Sequence, residues 1–294
     1  MKINGASLGR DLKERPSIFD ILIVVSICHK QLMSVPRRVP LDLLEYEGDR
    51  QFATTLARGI ALLRCFTPEE PVLGNKELSR RLELPVATIS RLTYTLVAMG
   101  YLAQDEPHGK YRLGSAVLSL SYPLLELFTI RRRARPYLLE LAESTGGSVS
   151  IGIRDRLSVV YIEAIRSHHH KVYPLDVGTR QSLAGTAIGR AYLMSCAPSE
   201  REALMNQLRV RAPEEWQRHQ AELRRNMAEY SRWGACVSVG EIFPDVQAVA
   251  VPLGRIDRGE PAALNCAFQG RPLNRSWLLE EIGPKLQALA RQLM

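Results

Sequence analysis

Thr88, Ser90 and Arg91 stand close together in the segment "LELPVATISRLTYTLVAMGYLAQDEPHGKYRLG", residues 82–114. Short hydroxyl side chains let a helix approach the floor of a DNA groove, and an arginine reaches guanine edges or phosphates. Tyr94 and Thr95 share the outward side of the same helix. His108 and Lys110 flank Gly109 in the loop beyond, placed to meet an adjacent phosphate backbone or minor groove. Arg80 and Arg81, just upstream, are candidate phosphate contacts, which position a protein on DNA without reading its sequence. Any single one of these residues suits a solvated helix face equally well, so the weight falls on the elements that hold them.

Those elements follow from periodicity. In "TTLARGIALLRCF", Leu56, Ile60, Leu63 and Phe66 recur at helical spacing and predict one buried face. "TPEEPVLG" breaks the pattern with two prolines and a glycine. "NKELSRRLEL" opens on Asn75, a good N-cap residue, with Leu78 and Leu82 one turn apart. Pro85 is suited to open the next helix, whose Val86, Ile89, Leu92, Leu96 and Met99 should face a core. Gly100 ends it, and Tyr101, Leu102, Tyr111 and Leu113 read as two short strands around residues 107–109. Three helices and a β-hairpin over residues 51–114 predict a winged helix-turn-helix, mostly α.

The charge distribution agrees. The chain of 294 residues carries a net charge of +8. Residues 51–135 hold 12 Lys and Arg against 7 Asp and Glu, whereas residues 136–294 hold 19 against 17. The excess sits in the smaller piece, as expected of a module that binds double-stranded DNA. Five cysteines, Cys28, Cys65, Cys196, Cys236 and Cys266, form no CxxC pair, which suits buried thiols in a reducing cytoplasm.

Residues 1–50 read as a poorly ordered extension. Their apolar run "FDILIVVSIC", residues 19–28, is too short to span a bilayer, and no small-residue cleavage site follows it. Met33 is an alternative start, which would place the preceding residues outside the native protein.

Residues 115–135, ending in "RRRAR", read as a linker helix interrupted by Pro123, with Pro136 just beyond. From residue 147 the period changes to two. "SVSIGIRD", "LSVVYIEAIR" and part of "KVYPLDVGTRQSL" read as strands. Helices follow near 186–196, 199–209 and 213–233, then two strands and a closing helix. Strands, helices and strands again predict an α+β domain on an antiparallel sheet over residues 136–294. Within it, "LAGTAIGRAY" opens a helix on small residues, leaving first-turn N–H groups available to a carboxylate, while Gly185 and Gly189 permit close approach. The run "SHHHK", residues 167–171, reads as a solvated turn; alternate strand residues face opposite ways and no carboxylate or thiol adjoins them, so no metal or cofactor is expected.

The residues "LARGIALLRCF", "NKELSRRLELPVATISRLTYTLVAMGYL", "KYRLG", "LAGTAIGRAYL" and "PDVQAVAVPL" together resemble the IclR family of bacterial transcriptional regulators over roughly residues 53–293. The resemblance implies a GAF-like effector-binding domain, a homodimer or tetramer on a pseudo-palindromic operator, and a cytoplasmic protein without membrane contact. It also implies an effector site built from Leu183, Thr186, Ala187, Ile188 and Gly189, joined from later strands by Ser238, Ala248, Asn265 and Ala267. Members that sense small oxo-acids carry an acid, a thiol and hydroxyls at those strand positions. The residues present here point to a larger, more apolar organic acid, an aromatic one, with Asn265 and Ser238 as hydrogen-bond partners. Two positions depart from the family pattern: Glu83 where glycine is common, and Arg190 where lysine is usual, a change of cation expected to matter little.

An enzyme is the rival class. The sequence contains no GxSxG, HExxH, Walker A or GxGxxG motif. A Ser/His/Asp arrangement needs no sequence proximity, so a hydrolase stays an alternative, alongside a ligand-binding module acting through protein partners.

Overall fold

The computed structural model describes residues 49–105, 109–167, 175–272 and 274–294. The extension over 1–48, His108 and the histidines of 168–170 lie outside the described residues. The chain divides between Leu118 and Ser119 into two compact units.

The first unit has helices α1 (Thr54–Leu63), α2 (Asn75–Leu82) and α3 (Val86–Ala98), then strands β1 (Leu102–Asp105) and β2 (Lys110–Leu113). The strands pair antiparallel from Leu102 opposite Leu113 to Asp105 opposite Lys110. Leu73 adds a bridge to Tyr111, so the segment before α2 is stitched to the hairpin. Leu62, Cys65, Phe66, Leu73, Leu78, Leu82, Ile89 and Leu102 form the core.

Two apolar stripes differ from the periodic reading. In α1, Leu56 and Ile60 are exposed, and Ala61 and Leu62 are buried instead. In α3, Val86 and Met99 are exposed, and Thr93 is fully buried. Thr93 can go inside because its hydroxyl lies within hydrogen-bonding reach of the Ile89 and Ser90 carbonyls of its own helix, at 3.1 Å each. Polarity therefore does not keep it at the surface.

Helix α4 (Ala116–Glu126) runs across the division between the units and buries none of its residues. It ends before α5 (Ile130–Thr145), which belongs to the second unit. The connector expected over 115–135 is thus two helices, the second continuing ten residues past the expected end. Ile130, Ala134, Leu138, Leu141, Ala142 and Thr145 of α5 are buried. The "RRRAR" arginines sit on this helix with internal partners. Arg131 and Arg135 flank buried Glu163, and Arg133 donates to the Leu293 carbonyl at 2.6 Å.

The second unit is a six-stranded antiparallel sheet in the order β5-β4-β3-β8-β7-β6. Its strands are β3 (Ser148–Asp155), β4 (Ser158–Arg166), β5 (Arg180–Ser182), β6 (Cys236–Val239), β7 (Val246–Ile256) and β8 (Glu260–Gln269). Between β5 and β6 run helices α6 (Ala187–Ser195), α7 (Pro198–Arg211) and α8 (Pro213–Trp233). After β8, a π-helical turn (Leu278–Ile282) leads into α9 (Gly283–Leu293).

Alternation along the strands sorts residues by size. Val249, Val251, Leu253, Leu264, Cys266 and Phe268 pack with α5 and α9 on one face. Ala248, Ala250 and Ala263, with Ala267 half-buried beside them, face α6 and its neighbours on the other. One face is therefore filled by branched and aromatic side chains, and the other is lined by methyl groups that leave space.

Candidate DNA-reading face and effector cavity

The turn between α2 and α3 is built by local chemistry. The N-cap of α2 is Gly74, one residue before Asn75, and Glu77 accepts its N–H at 2.6 Å. That bond, with Lys110 nearby, holds the Glu77 carboxyl below the usual carboxylate range. Asn75 instead crosses to α3, donating to Ser90 Oγ at 3.1 Å, with Thr93 Oγ1 3.4 Å from its Oδ1. Glu83 ends α2 in the left-handed region at φ 56° and ψ 36°. Ser79 Oγ then donates to the Leu84 carbonyl at 2.6 Å and closes the turn. The next helix starts at Val86, with Pro85 as its cap.

Ser90, Arg91, Tyr94 and Thr95 lie exposed on α3, and Thr88 is half-buried at its start. Arg80 is exposed on α2. Arg81 is not available as a phosphate contact: its guanidinium donates to the Cys65 carbonyl at 3.0 Å and pairs with Glu70, leaving 11% of the side chain exposed. Lys110 Nζ stands 3.7 Å from Glu77 Oε2, so the hairpin lysine partly neutralises the cap of α2.

In the second unit, Thr186 caps α6. Its Oγ1 accepts the Gly189 N–H at 3.2 Å and donates to the Ser182 carbonyl at 2.7 Å. The N–H groups of Ala187 and Ile188 have no partner within the helix. Gly189 has to be glycine, because an added Cβ would overlap the Ser182 and Leu183 carbonyl oxygens. The same turn is held from α8, where Glu215 pairs with Ser182 Oγ.

Beside this helix start opens a partly open pocket of about 410 Å³, the open solvent at its mouth included. Thr186 and Ala187 line it from α6, and Ser238, Ala248, Asn265 and Ala267 from β6, β7 and β8. Ser238, Ala248 and Ala267 form one cross-strand row. Leu183, Ile188 and Gly189 are not in the wall. Leu183 and Ile188 are fully buried in the core beneath it, and Gly189 is engaged by the cap. Tyr161, Leu175, Gln181, Ile242, Phe243 and Val246 complete the lining. Tyr161 shares the sheet parity of the alanines, a signal present in the sequence once strand pairing is known. Ile242 and Phe243 come from the loop after β6 and carry no such signal. Among the described residues, none of the wall bears a formal charge.

The polar groups of the wall are partly engaged. Ser238 Oγ donates to the Gly185 carbonyl at 3.2 Å. Asn265 Nδ2 donates to Tyr161 Oη at 3.3 Å, and both residues are almost wholly buried. Burial raises the Tyr161 phenol above its ordinary range against the opposing bond from Asn265.

Below the cavity lies a buried ion cluster. Arg190, fully buried in α6, donates to the Ala184 and Val237 carbonyls at 2.8 and 2.7 Å and to both carboxylate oxygens of Glu241. His219 Nδ1 stands 3.6 Å from the same carboxylate. Burial alone raises the Glu241 carboxyl, but His219 and the Arg190 fork outweigh it and hold it at about 2. The planar fork reaches two carbonyls and two oxygens at once, which a lysine cannot do, so the exchange of cation at position 190 is consequential.

Among the described residues no group of three or more His, Cys, Asp or Glu is arranged to hold a metal ion, and no helix is long and apolar enough to cross a membrane.

Comparison with known proteins follows the same division. Residues 55–106 match the model of the IclR helix-turn-helix domain, and residues 124–294 match that of the bacterial transcriptional regulator IclR C-terminal domain. The HTH-type transcriptional regulator TsaQ1/TsaQ2 of Comamonas testosteroni is 34% identical over 81% of this chain and 86% of its own. The crystal structure of an IclR family transcriptional regulator from Brucella abortus superposes with a TM-score of 0.73 at 38% identity, covering 83% of this chain and 92% of that one. An IclR homologue from Microbacterium hydrocarbonoxydans, solved in complex with 4-hydroxybenzoate, shares the fold at TM-score 0.59 and 23% identity, covering 81% of this chain and 99% of its own.

Proposed function

The chain belongs to the IclR family of bacterial transcriptional regulators, and from that premise we propose that α3 reads a DNA major groove while an aromatic acid in the second unit's cavity sets the affinity for DNA. Arg91, Ser90 and Thr88 are the base-reading candidates, with Tyr94 and Thr95 beside them and Arg80 on a phosphate. Their support is the exposed side of α3, whose opposite side is pinned by Ile89, Thr93 and the Asn75 bridge.

The reader acts as a homodimer on a pseudo-palindromic site, with half-sites about one helical turn apart or a multiple of it. Leu120, Tyr122 and Leu124 of α4, and Leu56 and Ile60 of α1, are exposed apolar side chains suited to meet a second copy. The effector acts by its differential affinity for DNA-competent and incompetent arrangements.

The observation that carries the ligand reading is the uncharged, mostly apolar wall beside the open start of α6. The helix start suits one carboxylate, and the alanine face suits a flat apolar body. The 4-hydroxybenzoate bound by the Microbacterium homologue is a ligand of that class, in a protein sharing the fold. A thermal-shift screen tests the reading. Aromatic monoacids should raise the melting temperature more than glyoxylate or pyruvate, and the reverse order overturns it.

A further inference from the structure

The amide oxygen of Asn265 is buried at the cavity wall and has no hydrogen-bond partner among the described residues. A buried acceptor without a donor is destabilising, and native interiors rarely tolerate one unless something else fills the position. Asn265 sits on β8 opposite Ser150 and Ala250, and its amide nitrogen already donates to Tyr161 Oη. In that arrangement Tyr161 keeps its own hydroxyl hydrogen free. Burial raises the phenol, so the hydrogen stays on the oxygen at ordinary pH.

The pair therefore presents an acceptor, Asn265 Oδ1, and a donor, the Tyr161 O–H, beside the second N–H of the amide. Turning the amide over exchanges the roles: Tyr161 then donates to Asn265, leaving an amide N–H as donor and the phenol oxygen as acceptor. Both arrangements show an acceptor together with more than one donor. A group that donates and accepts satisfies both. A carboxylate only accepts, and it would face one acceptor of the pair directly with no cation among the described residues of the wall to compensate.

We infer that Tyr161 and Asn265 form a hydroxyl-reading subsite, so that the ligand is a hydroxy-substituted monoacid and neither a plain aromatic acid nor a diacid. This rests on the proposed reading of the cavity as the effector site. The acid goes to the start of α6, and the hydroxyl goes to the tyrosine–asparagine pair.

Calorimetry on the full chain with 3-hydroxybenzoate, 4-hydroxybenzoate, benzoate and terephthalate decides it. At least one hydroxy acid should bind about tenfold or more tightly than benzoate, with terephthalate weaker still. Tyr161→Phe and Asn265→Ala should each shrink the hydroxyl advantage to about threefold or less. Where Asn265→Ala melts too low to titrate, Tyr161→Phe decides alone. Equal binding of benzoate or terephthalate and the hydroxy acids, or an advantage that survives Tyr161→Phe, overturns the subsite and leaves the effector cavity standing. Binding by none of the four overturns the effector reading and the subsite with it.

Discussion

Arg190 and Glu241 form a two-pronged ion pair in which the guanidinium is wholly buried and the carboxylate is largely so. Its donors also hold the carbonyls of Ala184 and Val237, so one side chain joins the turn before α6, the strand β6 and the loop after it. Removing one partner of such a pair leaves the other charge buried alone. Arg190→Met should lower unfolding free energy by about 3–5 kcal/mol, and Arg190→Lys by roughly 1–3, since a lysine leaves carbonyls unmet. Urea denaturation checks both, and an Arg190→Lys protein as stable as the parent contradicts the fork argument.

Acid should weaken the same pair. Glu241 has a folded pKa of about 2, below its ordinary 4.5. A depressed carboxyl contributes stability that is full above about pH 4.5 and is lost as pH falls towards 2. Glu77, Glu229 and Asp257 are also lowered, so the acid limb is shared. Glu241→Gln should therefore be less stable at pH 7, and its loss between pH 5 and pH 3 should be smaller by on the order of 1–2 kcal/mol. Parallel acid limbs in parent and variant would remove the assignment.

Two neighbouring arginines should separate on DNA. Arg80 is exposed, whereas Arg81 is held by Glu70 and the Cys65 carbonyl. Arg80→Gln should weaken binding across sequences and reduce the salt slope by about 1. Arg81→Gln should lower the melting temperature and leave the slope unchanged. Arg91→Ala should cost about 1–3 kcal/mol on the preferred operator and relax its sequence preference. Fluorescence anisotropy across a salt series measures all three, and identical slopes for the Arg80 and Arg81 variants would contradict the division.

Glu83 offers a gain. Its left-handed backbone costs a non-glycine residue roughly 1 kcal/mol, partly offset by the extra freedom a glycine has when unfolded. Glu83→Gly should be more stable by about 0.5–1 kcal/mol with DNA affinity within about twofold. A destabilised variant would mean that the glutamate side chain contributes more than its backbone takes away.

Filling the cavity should uncouple sensing from reading. Ala248 and Ala267 are cross-strand neighbours in the wall. Ala267→Leu should abolish the thermal shift from aromatic acids and leave DNA binding in place, with a stability change of about 1–3 kcal/mol from crowding. A response that persists places the ligand elsewhere.

The winged helix-turn-helix was legible because several local signals agree: breaks at proline and glycine, helical spacing of leucines, and a short hairpin. The face of each helix was less legible. Thr93 is buried although polar, because it bonds to carbonyls of its own helix, and a count of apolar residues cannot register that. Leu56 and Ile60 share a helix with Ala61 and Leu62, and spacing alone does not say which apolar side turns inward. Arg81 reads like Arg80 until Glu70 is folded against it.

In the second unit, the alternation of large and small residues in "VQAVAVPL" marks two unlike faces. Asn265 and Ser238 were reachable by resemblance. Tyr161 required the strand pairing, and Ile242 and Phe243 required the loop after β6 to be seen closing the wall. Leu183 and Ile188 came with the resemblance; Leu183 lies in the turn before α6 and Ile188 in its first turn, and both pack in the core.

The sheet keeps its cohesion and its vacancy on opposite sides. Valine, leucine and phenylalanine anchor the layer formed with α5 and α9, while alanines border the open space. On the proposed reading of the cavity, exchanging Ala248 or Ala267 for another small residue would reshape what is detected while leaving the branched and aromatic face as it is. On that reading a lineage could retune its chemical signal one methyl group at a time on a scaffold whose opposite face stays the same.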